Sequence, residues 1–448
     1  MMKFAGMVLA VSIAWAQPSF EGIWQGTLDV GAVKLRMALH VTKVDGGQYS
    51  ITLDSLDQGA MGIPANQTKV DGSSLRCEIS SLHATYDGTL SADGNSIKGR
   101  FVQGTAIPLD LRRVDKIEGP PRPQMPKPPF PYASEEVSYQ NKSAGLTLQG
   151  TLTIPKGSGP FPAAILITGS GTHDRDETLF GHKPFWVIAD YLSRRGIAVL
   201  RTDDRPTKSS STFDDLAGDV LAGVDFLASR KEIDPKKIGL IGHSEGACVG
   251  PLVASRSDRA AFVVMLAGIG VDGEEALLKQ GELTVRSMGL GDAAVKSQRQ
   301  VQQTLFAILK EEKDPKAAAE KLRAAMKKIA PQAPDDALTP EINKANSAEI
   351  RGVLGYDGSP VLRSLKMPVL AMDGSKDIQV SSEQNLPAIA AALKAGGNRD
   401  FKTVEMPGLN HLFQTCKKCT VAEYGDLEET ISPDALKLIG DWIQDHTK

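Results

Sequence analysis

The chain has 448 residues, more than one ordinary core holds, so at least two domains are expected. A formal net charge of −3 leaves no basic footprint for nucleic acid, and an aromatic content of 5% argues against an extended polysaccharide platform.

Residues 1–16 read as a short signal peptide: Lys3, an apolar stretch over 4–14, then Ala14-Trp15-Ala16 ahead of Gln17 as an A-x-A cleavage site. The apolar run is too short for a permanent bilayer span, and no cysteine follows it to carry a lipid anchor. A secreted or periplasmic location is expected.

Residues 20–115 alternate apolar and polar positions in short runs, as over 34–41, 49–53, 75–79 and 107–111, with Asp-Gly, Gly-Gly and Asn-Ser turns between them. That pattern predicts a small all-β domain, a sandwich or a lipocalin-like barrel. The Gly22-Ile23-Trp24 start resembles that of lipocalin-like barrels, with Trp24 as a core plug. Residues 116–133 hold seven prolines between Pro120 and Pro131, a composition that favours extended, semi-rigid backbone, and read as a linker.

From 134 to 448, strand-like and helix-like runs alternate, which implies a mostly parallel sheet wrapped by helices. The strand over 163–168 leads into Gly169-Ser170-Gly171-Thr172-His173-Asp174-Arg175-Asp176. Small residues there let the backbone approach a substrate. The strand over 197–201 leads into Asp203, Asp204 and Arg205. Asp174, Arg175, Asp176, Asp204 and Arg205 are expected to brace these loops through ion pairs rather than touch substrate.

The most informative segment is 238–247, Ile-Gly-Leu-Ile-Gly-His-Ser-Glu-Gly-Ala. An apolar strand runs into Gly242-His243-Ser244-Glu245-Gly246 and then into small residues that open a helix, so Ser244 stands at the tip of a sharp turn. His243 is expected to point away from the site. A serine hydroxyl needs a base, and the base needs an acid to hold its tautomer. Two later strands, 367–371 and 401–406, run into loops carrying Asp377 and His411, at the sheet edge where open α/β sheets collect their sites. Asp373 competes with Asp377; Asp377 is preferred because the Asp373 side chain suits the local turn with Gly374 and Ser375. Stabilising the tetrahedral intermediate takes two N–H groups: that of Glu245, and one from Ser170 or Gly171.

Between the strands at 261–267 and 367–371 lies an insertion rich in Ala, Lys, Glu, Gln and Leu. Its apolar spacing is helical, and it is read as a cap over about 271–360, with Leu305, Phe306 and Met288 as candidate pocket walls. Cys416 and Cys419, just past His411, lack further ligands at zinc spacing; in an oxidising compartment they are expected to form a local disulfide. Cys77 and Cys248 read as small buried hydrophobes.

These segments together resemble the α/β-hydrolase superfamily, and within it bacterial secreted esterases related to dienelactone hydrolases and serine aminopeptidase-like hydrolases. The resemblance rests on Gly169 to Asp176, Asp203 to Arg205, Gly242 to Gly246, Gly374 to Asp377 and Asn410 to Phe413. It spans about residues 134–448 and implies Ser244 as nucleophile, Asp377 as orienter and His411 as base. The family's usual Asp-Arg-Gly is Asp204-Arg205-Pro206 here. The expected function is an exported serine hydrolase acting on a small-molecule acyl ester, with no metal and no organic cofactor. An acyl thioesterase or a serine aminopeptidase uses the same machinery, though no acidic cluster for a free amino terminus is evident in the sequence. A non-catalytic lipid- or glycan-binding protein is the alternative of another class. The sequence leaves the oligomeric state open.

Overall fold

The computed structural model describes residues 19–30, 34–56, 60–117 and 119–448. Residues 1–16, read above as a signal peptide, lie outside them. The chain divides into two compact units, up to Gly119 and from Pro120 onward.

The first unit is one antiparallel meander: β1 (Gly22–Asp29), β2 (Lys34–Lys43), β3 (Tyr49–Ser55), β4 (Ala60–Pro64), β5 (Gln67–Asp71), β6 (Ser74–Ile79), β7 (Ala84–Leu90), β8 (Ser96–Gln103), β9 (Thr105–Pro108) and β10 (Leu111–Val114). Their order is β4-β3-β2-β1-β10-β8-β7-β6-β5, with β9 on β8, so the expected all-β domain is a single sheet curled into a half-barrel. Alternate residues point inward, as in β6, and one apolar core fills the concave side. Trp24 is fully buried in it and donates its indole N–H to the Phe20 carbonyl at 2.7 Å.

The second unit carries eight strands: β11 (Tyr132–Asn141), β12 (Leu146–Pro155), β13 (Phe161–Ile167), β14 (Ala198–Thr202), β15 (Ile233–His243), β16 (Ala260–Leu266), β17 (Val369–Gly374) and β18 (Phe401–Met406). They lie in the order β11-β12-β14-β13-β15-β16-β17-β18. The first two join antiparallel; from β14 to β18 every pairing is parallel. Central strands such as β15 and β17 are buried on both faces, which is why they read as continuous apolar runs rather than alternating ones. Helices α2 (Phe213–Ala228), α3 (Gly246–Arg256) and α10 (Ser382–Ala395) cover one face, and α1 (Pro184–Ser193) and α11 (Pro433–His446) the other.

The proline-rich stretch runs along this second unit. Arg122 donates to the carbonyls of Phe180 (3.1 Å), Gly425 (2.7 Å) and Leu427 (2.6 Å), and Gln124 bonds to Thr430 and Ile431. Six helices form the insertion: α4 (Gly273–Ser287), α5 (Asp292–Glu311), α6 (Pro315–Ile329), α7 (Asp335–Ala345), α8 (Ala348–Leu354) and α9 (Gly358–Ser364). The insertion has its own small core, built on Leu278, Phe306, Leu309, Leu322, Leu338 and Ile342.

Candidate active site

Parallel strands put their carboxyl ends on one side, so the loops after β13, β15, β17 and β18 meet there. After β15 the chain turns at Ser244, which holds φ at +54°, a left-handed conformation that costs energy for any residue with a side chain. Two glycines make the turn feasible. A Cβ on Gly242 would stand 2.0 Å from the Gly246 carbonyl oxygen, and one on Gly246 would stand 2.1 Å from that of Ile167. The turn is fixed further by Ser244 N–H donating to the Leu266 carbonyl of the next strand at 2.8 Å.

His411 Nδ1–H donates to Asp377 Oδ2 at 2.6 Å, and both groups are buried. That bond sets the tautomer, so Nε2 is the nitrogen left to take a proton. Asp377 Oδ1 accepts the backbone N–H groups of Gln379 (2.7 Å) and Val380 (2.9 Å). Burial by itself would raise the Asp377 pKa; the His411 ring and these donors outweigh it and hold the carboxyl below the usual carboxylate range. Ser244 and His411 line one cavity of about 250 Å³, with Glu245, Ser170 and Gly169 beside them. Much of the wall is apolar, from Leu179, Phe213, Ile269 and Val380 of the hydrolase body and Leu277 and Val353 of the insertion.

Of the two residues named for the second oxyanion donor, Ser170 lines the cavity and Gly171 does not. Gly171 takes φ +93° to turn the loop. The Gly169 N–H is already committed to Glu177 Oε1 at 2.6 Å, while those of Ser170 and Glu245 have no protein acceptor among the described residues. His173 Nε2–H pins the Ser170 carbonyl at 2.6 Å, which orients the following peptide.

His243 does not point away from the site. It lines the same cavity, its Nδ1 3.0 Å from Glu177 Oε1 and its Nε2 3.1 Å from the His411 carbonyl oxygen. Both ring nitrogens face acceptors, so both carry protons. Burial opposes that charge, but Glu177 prevails: the His243 pKa is raised and the Glu177 pKa lowered. A buried imidazolium–carboxylate pair therefore ties the loop after β13 to the loop bearing His411.

Glu177 and His173 line the cavity, whereas Asp174, Arg175, Asp176, Asp203, Asp204 and Arg205 form bonds within the neighbouring loops and do not. Arg175 forks onto Asp203 at 3.1 and 2.6 Å and also meets Thr151 and Glu136. Asp174 accepts from the Thr178 backbone and hydroxyl, Asp176 binds Arg201 and Lys183, and Arg205 grips Asp219 at 2.6 and 2.8 Å. Asp204 accepts from the Thr168 hydroxyl, the His173 N–H and Lys208.

Sequence reasoning missed Lys208, which sits among polar residues and reads as surface. It is buried, and its Nζ donates to Thr168 Oγ1 (2.7 Å), the Gly169 carbonyl (2.6 Å) and Asp204 (2.9 Å). It also missed the acidic lining. Glu245 of the turn and Glu349 of the insertion both face the cavity, and burial lifts the Glu245 carboxyl to about 7, with Lys208 at 3.9 Å only partly opposing. The expected pocket walls are corrected as well. Met288 is 67% exposed, and Leu305 and Phe306 pack into the insertion's own core; Ala276, Leu277, Gln280, Glu349, Ile350 and Val353 face the cavity instead.

Cys416 and Cys419 form a disulfide just past His411. Glu423 backs the same loop, accepting the N–H groups of Lys417, Lys418 and Cys419. Cys77 and Cys248 are buried free thiols, and burial raises the Cys248 pKa to about 12.

A mostly parallel eight-stranded sheet, helices on both faces, a strained serine turn after β15 and a helical insertion after β16 define an α/β hydrolase by fold. Residues 222–351 match the family described as BAAT / Acyl-CoA thioester hydrolase C terminal. Esterase EstD of Thermotoga maritima is 29% identical over 358 residues, which cover 77% of this chain and 76% of that protein. Polyketide transferase claH of Penicillium crustosum is 33% identical over 143 residues, covering 30% of this chain and 44% of its own. Among solved structures, the Pyrococcus furiosus esterase PF2001 aligns with a TM-score of 0.45 at 15% identity, over 74% of this chain and 98% of that one. The chain thus has an α/β-hydrolase fold and is similar to an esterase over most of its length and to an acyl-CoA thioester hydrolase family over part of it.

Proposed function

We propose that the protein is an exported serine hydrolase that cleaves small-molecule carboxylic esters through an acyl-enzyme on Ser244. The observation that carries the reading is the buried Asp377–His411 hydrogen bond of 2.6 Å behind a cavity lined by both His411 and Ser244, the latter at φ +54°. Ser244 Oγ attacks the ester carbonyl as His411 Nε2 takes its proton. The oxygen that gains charge is held by the N–H groups of Glu245 and Ser170. Collapse expels the alcohol, which leaves with the proton from His411. Water then attacks the acyl-enzyme with His411 again as base, releasing the acid and restoring Ser244. Asp377 keeps the ring in its tautomer and stabilises the imidazolium. Similarity to an esterase over most of the chain supports the ester as substrate. The disulfide beside His411 supports an oxidising compartment.

A thioester is the second reading, favoured by the acyl-CoA thioester hydrolase match over 222–351. The experiment is fluorophosphonate labelling of wild type and Ser244→Ala, followed by rates on p-nitrophenyl esters of increasing chain length, acyl thioesters and aminoacyl amides. Labelling lost in Ser244→Ala with fastest turnover on esters is expected. No labelling of wild type would favour a non-catalytic binding protein, and turnover confined to amides would make it a peptidase.

A further inference from the structure

Asp373 ends strand β17 beside the loop of Asp377, and it is fully buried. Its Oδ1 accepts the Gly374 N–H at 2.7 Å; its Oδ2 is buried and meets no donor among the described residues. The loop folds back so that the Asp377 N–H donates to the Gly374 carbonyl at 3.1 Å, and the two carboxyls are close enough to act on each other. The charged groups acting on it are Asp377 and, across the β17–β18 pairing, Glu405, both carboxylates. Glu405 in turn accepts from Ser382 at 2.7 Å.

Two adjoining carboxylates in a dry site do not both ionise. The ionised one must be the better solvated by protein donors. Asp377 has three, the His411 ring N–H and the N–H groups of Gln379 and Val380, whereas Asp373 has one. We propose that Asp373 is a neutral carboxylic acid whose Oδ2–H donates a fourth hydrogen bond to Asp377, making it a positioning residue for the His411–Asp377 pair. Burial first, and the Asp377 charge second, push the Asp373 pKa well above the ordinary carboxylate value, in agreement. A neutral donor stabilises the Asp377 charge and fixes its rotamer without adding a cation that would draw the charge away from His411. This inference rests on the reading of Asp377 as the orienting acid.

Asparagine has the shape of a protonated aspartic acid and keeps one donor and one acceptor. The test compares Asp373→Asn and Asp373→Leu with wild type on p-nitrophenyl butyrate, and takes infrared difference spectra of wild type and Asp373→Asn at neutral pH. Asp373→Asn is expected to keep kcat and KM within about threefold. Asp373→Leu removes the donor and is expected to lower kcat about ten- to a hundredfold with KM nearly unchanged. The wild-type minus Asp373→Asn difference should show one protonated-carboxyl stretch, any band from Glu245 being common to both proteins and cancelling. Asparagine as damaging as leucine, or the absence of that band, overturns the proposal. Should the leucine variant fail to fold, the asparagine rates and the band still decide it. The band is independent of turnover, so failure of the Ser244 mechanism, seen as unlabelled wild type, is a separate result.

Discussion

Gly246, the first residue of α3, presses its Cα against the last residue of β13, so close that a methyl group would stand 2.1 Å from the Ile167 carbonyl oxygen. That oxygen belongs to backbone and cannot step aside as a flexible side chain would. Gly246→Ala must push α3 away from β13, moving the Ser244 turn and the Glu245 N–H with it. We expect a loss of about 3 kcal/mol or more of stability and over a hundredfold in kcat/KM, read by urea unfolding and ester hydrolysis. An alanine variant with wild-type turnover would show that the turn tolerates the shift.

Glu245 gives a stability signature that depends on pH. Its carboxyl titrates near 7 in the folded chain, raised chiefly by burial, against an ordinary value near 4.5. Between those values the folded state holds a proton that the unfolded state has released, so stability falls as pH rises from about 4.5 to 7 and then levels. Glu245→Gln removes this dependence. The variant should match wild type near pH 4.5 and exceed it at pH 8 by up to about 3 kcal/mol. Thermal melts of both proteins across that range check the sign, and an advantage that shrinks with rising pH would contradict it.

Lys208 is a buried cation whose three bonds reach Thr168, Gly169 and Asp204. Lys208→Met fills similar space but strands the Gly169 carbonyl and takes from Asp204 its cationic partner, leaving it the Thr168 hydroxyl and the His173 N–H. Leaving a buried charge without its partner costs about 3–5 kcal/mol. The expected outcome is a markedly lower Tm, together with weaker catalysis because Gly169 precedes Ser170. A methionine variant as stable as wild type would mean that water replaces the ammonium there.

The loop after His411 is held twice, by the Cys416–Cys419 disulfide and by Glu423. The disulfide closes so short a loop that chain entropy gives it only about 2 kcal/mol. Glu423 accepts three backbone N–H groups with a buried carboxylate, and charge-assisted bonds are the stronger kind. Reduction, or the Cys416→Ser/Cys419→Ser pair, should lower Tm by a few degrees and leave most of the activity. Glu423→Ala should cost more on both measures.

The sequence was most legible where backbone rules fix the chemistry. A serine between glycines after an apolar run dictates a turn at a strand end, and loops after parallel strands necessarily share an edge, so residues 244, 377 and 411 were legible as neighbours. The curled sheet of the first unit was half legible: alternation reveals strands, but not whether a meander closes. Lys208 and Glu177 were hidden because burial of a charged side chain depends on partners distant in sequence, whereas Asp373 was legible as a residue bonding its own turn, though its burial was not. His243 was misread because a turn's direction shows only once its flanking strands are placed. In the insertion, periodicity marks an apolar face without saying what it meets, which is why Phe306 packs on neighbouring helices while Leu277 lines the cavity.

The private core of the six-helix insertion has an evolutionary corollary. Its packing residues, such as Leu278, Leu322 and Ile342, are distinct from those that cement the sheet, while its cavity-facing side chains come from α4 and α8 alone. Selection, or a protein engineer, can therefore reshape the cavity at Gln280 and Ile350 with little effect on the sheet, whereas Ala276 and Val353 also pack into the sheet's core and constrain change there.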